Sequence, residues 1–322
     1  MKKKVYCVGL LVCDIPLKPV TRDIFDRDHL RIARTPWTLG GDAANTAAAL
    51  VRLGFDASLS ALTGKDLYGD FLIDSLKNAG IDVRGVHKSD EHGTGVTFIL
   101  IEPSGERHFI VTGSAHREME SKYTHKDLIE EADLVYIGSS MSMAEMDQIG
   151  SAELFKTAHS LGKLTATDFN GTDQERGDYW LKLLGPMLKE TDIALPSLRE
   201  AIELTGKKDL REIRDALAPF GMKILAVKLG DRGSYITDFK NEWNLPAFTD
   251  FETVDTTGAG DSYGAGFVRG FLSGWDPEAC GIFASAVAGF NVTKVGAVAG
   301  VPDFETAYRF VTDRFGTARF PV

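Results

Sequence analysis

Cysteine is scarce in this chain: three in 322 residues, at positions 7, 13 and 280. Thiols so few and so scattered exclude a disulfide framework and a zinc knuckle, and they read as reduced thiols of a cytoplasmic protein. Basic charge is also short. Lys and Arg number 36 against 46 Asp and Glu, a net charge of −10. Nucleic acid and anionic membranes both want a basic face, so neither is an expected partner. No apolar run reaches the ~18 residues that a membrane helix needs. The run 5–13 follows Lys2-Lys3-Lys4 in the manner of a short secretory signal, but Asp14 and Pro16 interrupt it and no small-x-small cleavage site follows. A buried first strand accounts for it better. Several catalytic signatures are missing too. Gly64-Lys65 is followed by Asp66, and Leu59 stands where a Walker A loop needs its first glycine. The seven histidines form no zincin motif, and Gly-x-Ser-x-Gly does not occur.

What is present is ample material for a core, with 43% hydrophobic residues. Short apolar runs alternate with longer amphipathic ones. Strands are expected at 5–12, 57–62, 133–137, 164–167, 193–195 and 224–228. Helical patterns lie between them, at 43–53, 67–79, 145–161, 198–204 and 210–218. Many of the strands are apolar without alternation, so both faces of the sheet are covered. Such a sheet is mostly parallel, with helices as crossovers. The stretch 14–39 breaks the rhythm with mixed charge and no long helix. The stretch 95–111 reads as a hairpin with a turn at Pro103-Ser104-Gly105, and a second hairpin follows Gly233. Beyond Gly258 the pattern is helical.

The strongest motif is Asp255-Thr256-Thr257-Gly258-Ala259-Gly260-Asp261. Tyr263, Phe267 and Phe271 recur at helical spacing behind it, so a helix starts near Gly258. Three tiny residues at a helix start leave backbone N–H groups open to an anion, and the helix dipole adds to the attraction. Asp261 stands in the first turn. A carboxylate beside a phosphate-sized anion hole repels a merely bound phosphate. It suits a general base that deprotonates a hydroxyl about to attack a phosphoryl group. A glycine-rich N-cap is the plainer explanation. A dinucleotide fingerprint is another, but it normally follows the first strand of a βαβ unit, and this motif lies late. The second motif, Gly40-Gly41-Asp42-Ala43-Ala44-Asn45, opens the helix expected at 43–53. Asp42 and Asn45 share one side of its first turn. With Asp14, at the end of the first strand, they can hold the hydroxyls of a polyol.

With both motifs in view, the chain resembles the ribokinase-like (PfkB) carbohydrate kinases over nearly its whole length. Gly40-Gly41-x-x-x-Asn45 is similar to the family's first signature, and 255–261 to its second. The resemblance implies an α/β, three-layer fold with a mostly parallel central sheet flanked by helices and a small β lid. It implies one kinase domain over 1–322, with lid segments at about 12–39 and 93–113. It implies transfer of the γ-phosphoryl of ATP, with magnesium, to a primary alcohol of a small sugar. By position, Asp261 is the implied base and Gly258, Ala259 and Gly260 the anion hole. Asp14, Gly41, Asp42 and Asn45 fall where members of the family hold the sugar. Ser197, Lys228, Gly230, Arg232, Gly233 and Ser285 fall on the nucleotide site, and Glu200 where magnesium is held through water. Asp255, Thr257, Asn291, Lys294, Gly296 and Gly300 match positions that bind a monovalent cation, such as potassium, in many members.

The sequence departs from the pattern in places. The family's Asn-x-x-Glu reads Ser197-Leu198-Arg199-Glu200. A glutamate that contacts ribose in ribokinases is replaced near Ser139, which counts against ribose. Gly41-Asp42 with Asn45-Thr46, and Asp168-Phe169-Asn170, are similar to 2-keto-3-deoxygluconate kinases and fructokinases. A ketohexose or a 2-keto-3-deoxygluconate-like sugar acid is therefore the expected acceptor. A sugar acid needs a cation for its carboxylate, and Arg107 in the hairpin is one candidate. A nucleoside kinase of the same fold is the nearest alternative, with Phe98 and Phe109 as a slot for a base. A non-catalytic sugar-binding regulator is another, but a sensor has no need of Asp261. Pairing of two lids into a homodimer is a further expectation.

Overall fold

The computed structural model describes residues 2–321 apart from 33–34, 105 and 172–177. Gly105, in the turn expected at Pro103-Ser104-Gly105, thus lies outside the described residues. Among the described residues, thirteen strands form two sheets. In chain order they are β1 (Lys4–Val8), β2 (Val12–Leu17), β3 (Thr38–Gly40), β4 (Asp56–Gly64), β5 (Asp82–Ser89), β6 (Gly95–Ile101) and β7 (Arg107–Thr112). After them come β8 (Leu134–Ser140), β9 (Leu164–Phe169), β10 (Ile193–Ala194), β11 (Ile224–Lys228), β12 (Ser234–Thr237) and β13 (Glu242–Leu245). The large sheet has the order β13-β12-β11-β10-β9-β8-β1-β4-β5. It is parallel from β11 to β5, and β12 and β13 extend it antiparallel at one edge.

The apolar run of β1 is explained by its two faces. Val5 and Cys7 enter one apolar layer with Leu50 and Phe267. Tyr6 and Val8 enter the other with Phe155 and Leu184. Successive strand residues point to opposite faces, so a strand covered on both sides must be apolar throughout. The three free cysteines are all buried, and among the described residues no helix is long and apolar enough to cross a membrane.

Two expectations need correction. The run 5–12 is not one strand. The chain leaves the sheet after Val8, and Gly9 takes φ +153°, where a Cβ would lie 2.4 Å from the Gly138 carbonyl oxygen. The chain resumes as β2 in a second sheet, of order β3-β2-β6-β7. Asp14 therefore stands on this small sheet and not at the end of the first strand. The other correction is β5, which the sequence did not reveal. It is an edge strand with a single buried residue, Gly85, so it carries no apolar run.

Candidate active site

The carboxyl ends of β8, β9 and β11 bring Ser139, Asp168 and Lys228 to one rim of the large sheet, where ligands of open α/β sheets bind. Two helices begin beside them, Asp42–Arg52 and Ala259–Leu272, and they pack on each other. The small sheet forms the opposite wall. Between them lies a cleft of about 950 Å³, lined by Asp14, Thr97 and Phe109 on the small sheet and by Asp42, Asn45 and Asp261 on the helices.

The anion hole is built by a backbone that only glycine allows. Gly258 caps its helix at φ +71°, and a Cβ there would stand 1.9 Å from the Ala297 carbonyl oxygen. The N–H groups of Gly258 and Gly260 have no hydrogen-bond partner among the described residues. The Ala259 N–H makes only a long bond, 3.3 Å, to the Thr256 carbonyl. Open amides at the start of a fourteen-residue helix attract an anion. Asp261 follows in the first turn, and the Asn45 side-chain amide donates to its Oδ2 at 2.8 Å. Burial, with Asp42 and Asp168 nearby, holds the Asp261 carboxyl well above the usual carboxylate range. That shift makes it a better proton acceptor. Asn45 thus orients the Asp261 carboxyl; its own Oδ1 is buried without a partner among the described residues.

A buried charge cluster backs the hole. The Lys228 ammonium donates to both oxygens of Asp168, at 2.7 and 2.6 Å. A Cβ on Gly260 would lie 3.2 Å from Lys228 Nζ, so this cation sits against the anion hole itself. Burial opposes the lysine charge, but Asp168 and Glu200 beside it outweigh burial and raise its pKa. Burial pushes Asp168 up to about 7, against the pull of Lys228. On the acceptor side, burial raises Asp14 to about 7, opposed by a hydrogen bond from Thr97 and aided by Asp42. Asp42 is raised by burial as well, while the Ser139 hydroxyl donates to its Oδ2 at 2.7 Å.

Ser197 and Glu200 form a capping box at the helix Leu198–Thr205: Ser197 Oγ accepts from the Glu200 N–H, and Glu200 Oε2 accepts from the Ser197 N–H at 2.7 Å. Serine at 197 therefore keeps the helix start that an asparagine would give. Gly230, Arg232, Gly233 and Ser285 do not line the cleft. The first three form the turn between β11 and β12, and Ser285 lies on the helix Pro277–Asn291, which packs on β12, β13 and the Ala259–Leu272 helix.

Arg107 is not brought into the cleft. Its guanidinium donates to Asp255 Oδ1 at 3.2 Å and to the hydroxyls of Thr256 and Thr257. The cation expected to meet a substrate carboxylate is engaged by the loop before the anion hole. Lys294 is exposed, and among the described residues it has no ion pair. Sequence reasoning gave no role to several groups that line the cleft, namely Thr97, His116 and Arg117. Thr97 alternates with core residues on β6 and carries no local mark. Asp168 did carry one, as the single acid closing the apolar strand 164–169.

A glycine-built anion hole with a lysine behind it and a raised carboxylate in front defines a phosphotransferase that acts on an alcohol. The sequence profile of the pfkB family carbohydrate kinases matches residues 2–303, and the chain belongs to that family. An uncharacterized sugar kinase of Archaeoglobus fulgidus is 30% identical over 258 residues, which cover 79% of this chain and 98% of the relative. A nucleoside kinase of Methanothermobacter thermautotrophicus is 30% identical over 286 residues, 86% of this chain and 85% of that one. A putative ribokinase II from E. coli, solved in complex with ATP and Mg²⁺, superposes with a TM-score of 0.81 at 21% identity, covering 97% of this chain and 100% of that one. The fold is therefore ribokinase-like.

Proposed function

We propose that this kinase transfers the γ-phosphoryl of ATP to a primary alcohol of a small sugar or sugar acid in the cytoplasm, with a ketohexose or 2-keto-3-deoxygluconate-like compound favoured over ribose. The observation that carries the reading is the placement of Asp261 between open amides on one side and Asp14 and Asp42 on the other, in one cleft. The Asp14 and Asp42 carboxyls, both raised by burial, hold sugar hydroxyls by accepting their hydrogen bonds when ionised and by donating one when protonated. An acceptor anchored there presents an alcohol to Asp261. Asp261 takes the proton as the oxygen attacks, and the N–H groups of Gly258 and Gly260 with Lys228 receive the developing phosphoryl charge. The turn Gly230–Gly233 and Ser285 flank the nucleotide. Glu200 would hold magnesium through water, whereas both oxygens of Asp168 are taken by Lys228. Magnesium supplies charge neutralisation to the phosphates when bound.

The sugar-acid form of the reading gains support from Arg117, which lines the cleft without a carboxylate partner among the described residues. A nucleoside acceptor is the second reading. Phe109 lines the cleft and is 56% exposed there, an open apolar face for a base. Phe98 packs against the core and offers nothing. The test is a coupled ADP-release screen with pentoses, hexoses, ketoses, sugar acids, polyols and nucleosides. Turnover with a ketose or sugar acid above that with ribose supports the first reading, and turnover with nucleosides alone replaces it by the second.

A further inference from the structure

The loops that resemble a monovalent-cation site do not fit a cation. Asp255 has both carboxylate oxygens engaged. Oδ1 accepts from the Thr257 N–H at 2.9 Å, from the Thr257 hydroxyl at 2.7 Å and from Arg107 at 3.2 Å. Oδ2 accepts from the Gly296 N–H at 2.9 Å. Hydrogen bonds from Gly296 and Thr257, with the Arg107 charge, outweigh burial and hold the Asp255 carboxyl below the usual range. Two backbone carbonyls beside Asp255 are engaged as well. The Asn291 side-chain amide donates to the Thr257 oxygen at 3.0 Å and to the Ala297 oxygen at 2.9 Å, and Asn291 is fully buried. An amide NH₂ group offers donors only, and its positive end lies where a cation would need oxygen lone pairs.

We propose that this chain replaces the monovalent cation with its own groups: Arg107 supplies the charge beside Asp255, and Asn291 ties the Thr257 and Ala297 carbonyls. Arg107 is then a positioning residue. It touches no reacting atom; it fixes 255–257, the segment that leads directly into Gly258. Because Arg107 opens β7 on the small sheet, the charge reaches this loop only while that sheet lies over the cleft. Closure of the lid and completion of the anion hole are one event.

The kinetic arm of the test rests on the phosphotransferase reading; the thermal arm does not. Wild type is melted in potassium chloride and in tetramethylammonium chloride at equal ionic strength. The two melting temperatures should agree within about 1 °C, whereas an ion bound at a hundred times its Kd would raise Tm by several degrees. A potassium-dependent rise of that size overturns the proposal. Turnover of wild type should likewise be equal in the two salts. Removing a direct anion-hole donor costs about 10²–10³ in kcat, so Arg107→Gln, one step behind the hole, should cost about tenfold. Its KM for the acceptor should stay nearly unchanged. Arg107→Lys keeps the charge and should restore most of kcat, as should added guanidinium on Arg107→Gln. Arg107→Gln with normal kcat, or a loss that neither lysine nor guanidinium relieves, overturns the positioning role. If no acceptor turns over in either salt, the kinase reading fails, and the melting comparison still decides about the ion.

Discussion

Replacing Asp261 by Asn keeps the side-chain volume and the helix start and removes the proton acceptor. A positioned general base is worth about 10²–10⁴ in rate. At about 1.4 kcal/mol per tenfold, that is about 3–5 kcal/mol of barrier. The surroundings also give the sign of the stability change. Burial, Asp42 and Asp168 disfavour the Asp261 charge, and Asn45 and Lys228 favour it; the balance raises the pKa. A carboxyl whose pKa is raised on folding lowers the stability of the fold at pH values above its unfolded pKa. Asp261→Asn should therefore melt at or above wild type while kcat falls by the factor above. ATP should bind at least as well, since a negative charge near the phosphates is gone. If Asp261 only complemented the helix dipole, its loss would lower stability by about 0.3–1 kcal/mol and leave kcat intact. Steady-state kinetics with coupled ADP detection, calorimetric ATP titration and a thermal melt on this variant separate the two. Near-normal turnover with a lowered melting temperature would refute the base assignment.

Three other substitutions probe the same site. Gly258→Ala forces φ +71° on a residue with a Cβ 1.9 Å from the Ala297 oxygen; it should cost about 1–3 kcal/mol of stability in a denaturant melt and about 10²–10³ in kcat. Asp14→Asn should raise KM for the acceptor and leave KM for ATP nearly unchanged; equal changes in both would remove Asp14 from the acceptor site. Its stability relative to wild type should also depend on pH. Asp14 rises from 3.8 to about 7 on folding, so the folded wild type binds the extra proton in that window and loses about 1.4 kcal/mol per pH unit as pH rises through it. The variant should therefore gain about 2 kcal/mol on wild type between about pH 5.5 and 7 in urea titrations. Ser197→Ala breaks the capping box and should cost about 1 kcal/mol, while Ser197→Asn should be neutral within a few tenths.

Some of this site was legible in the sequence because its cause is local. Gly258 is required by the conformation of its own residue, with φ +71°. The helix starts at Asp42 and Ala259 follow from short-range patterns. The parallel sheet could be read because strands buried on both faces must be apolar at every position. Where the cause was not apolar burial, legibility failed. The edge strand β5 is half-exposed, so it looks like a loop. The division of 5–12 depends on Gly9 meeting Gly138, a contact between strands that no short window contains.

The charges show the limit most clearly. The sequence alone shows that Asp14, Asp42, Asp168, Glu200, Asp255 and Asp261 are acidic and that Arg107, Lys228 and Lys294 are cationic, but not which acid meets which cation. The fold sorts them by pairing across long separations. Lys228 meets Asp168 sixty positions away, and Arg107 meets Asp255 across 148. These pairings decide chemistry. Asp255, with an arginine and three hydrogen-bond donors, is held below the usual carboxylate range, which makes it a weaker base than Asp261. Asp261, six residues on, has acidic neighbours and a single neutral donor within hydrogen-bond reach, and it is held above that range. Two aspartates at the ends of one seven-residue motif thus have pKa values shifted in opposite directions, Asp255 downward by Gly296, Thr257 and Arg107 against burial, and Asp261 upward by burial and the neighbouring Asp42 and Asp168.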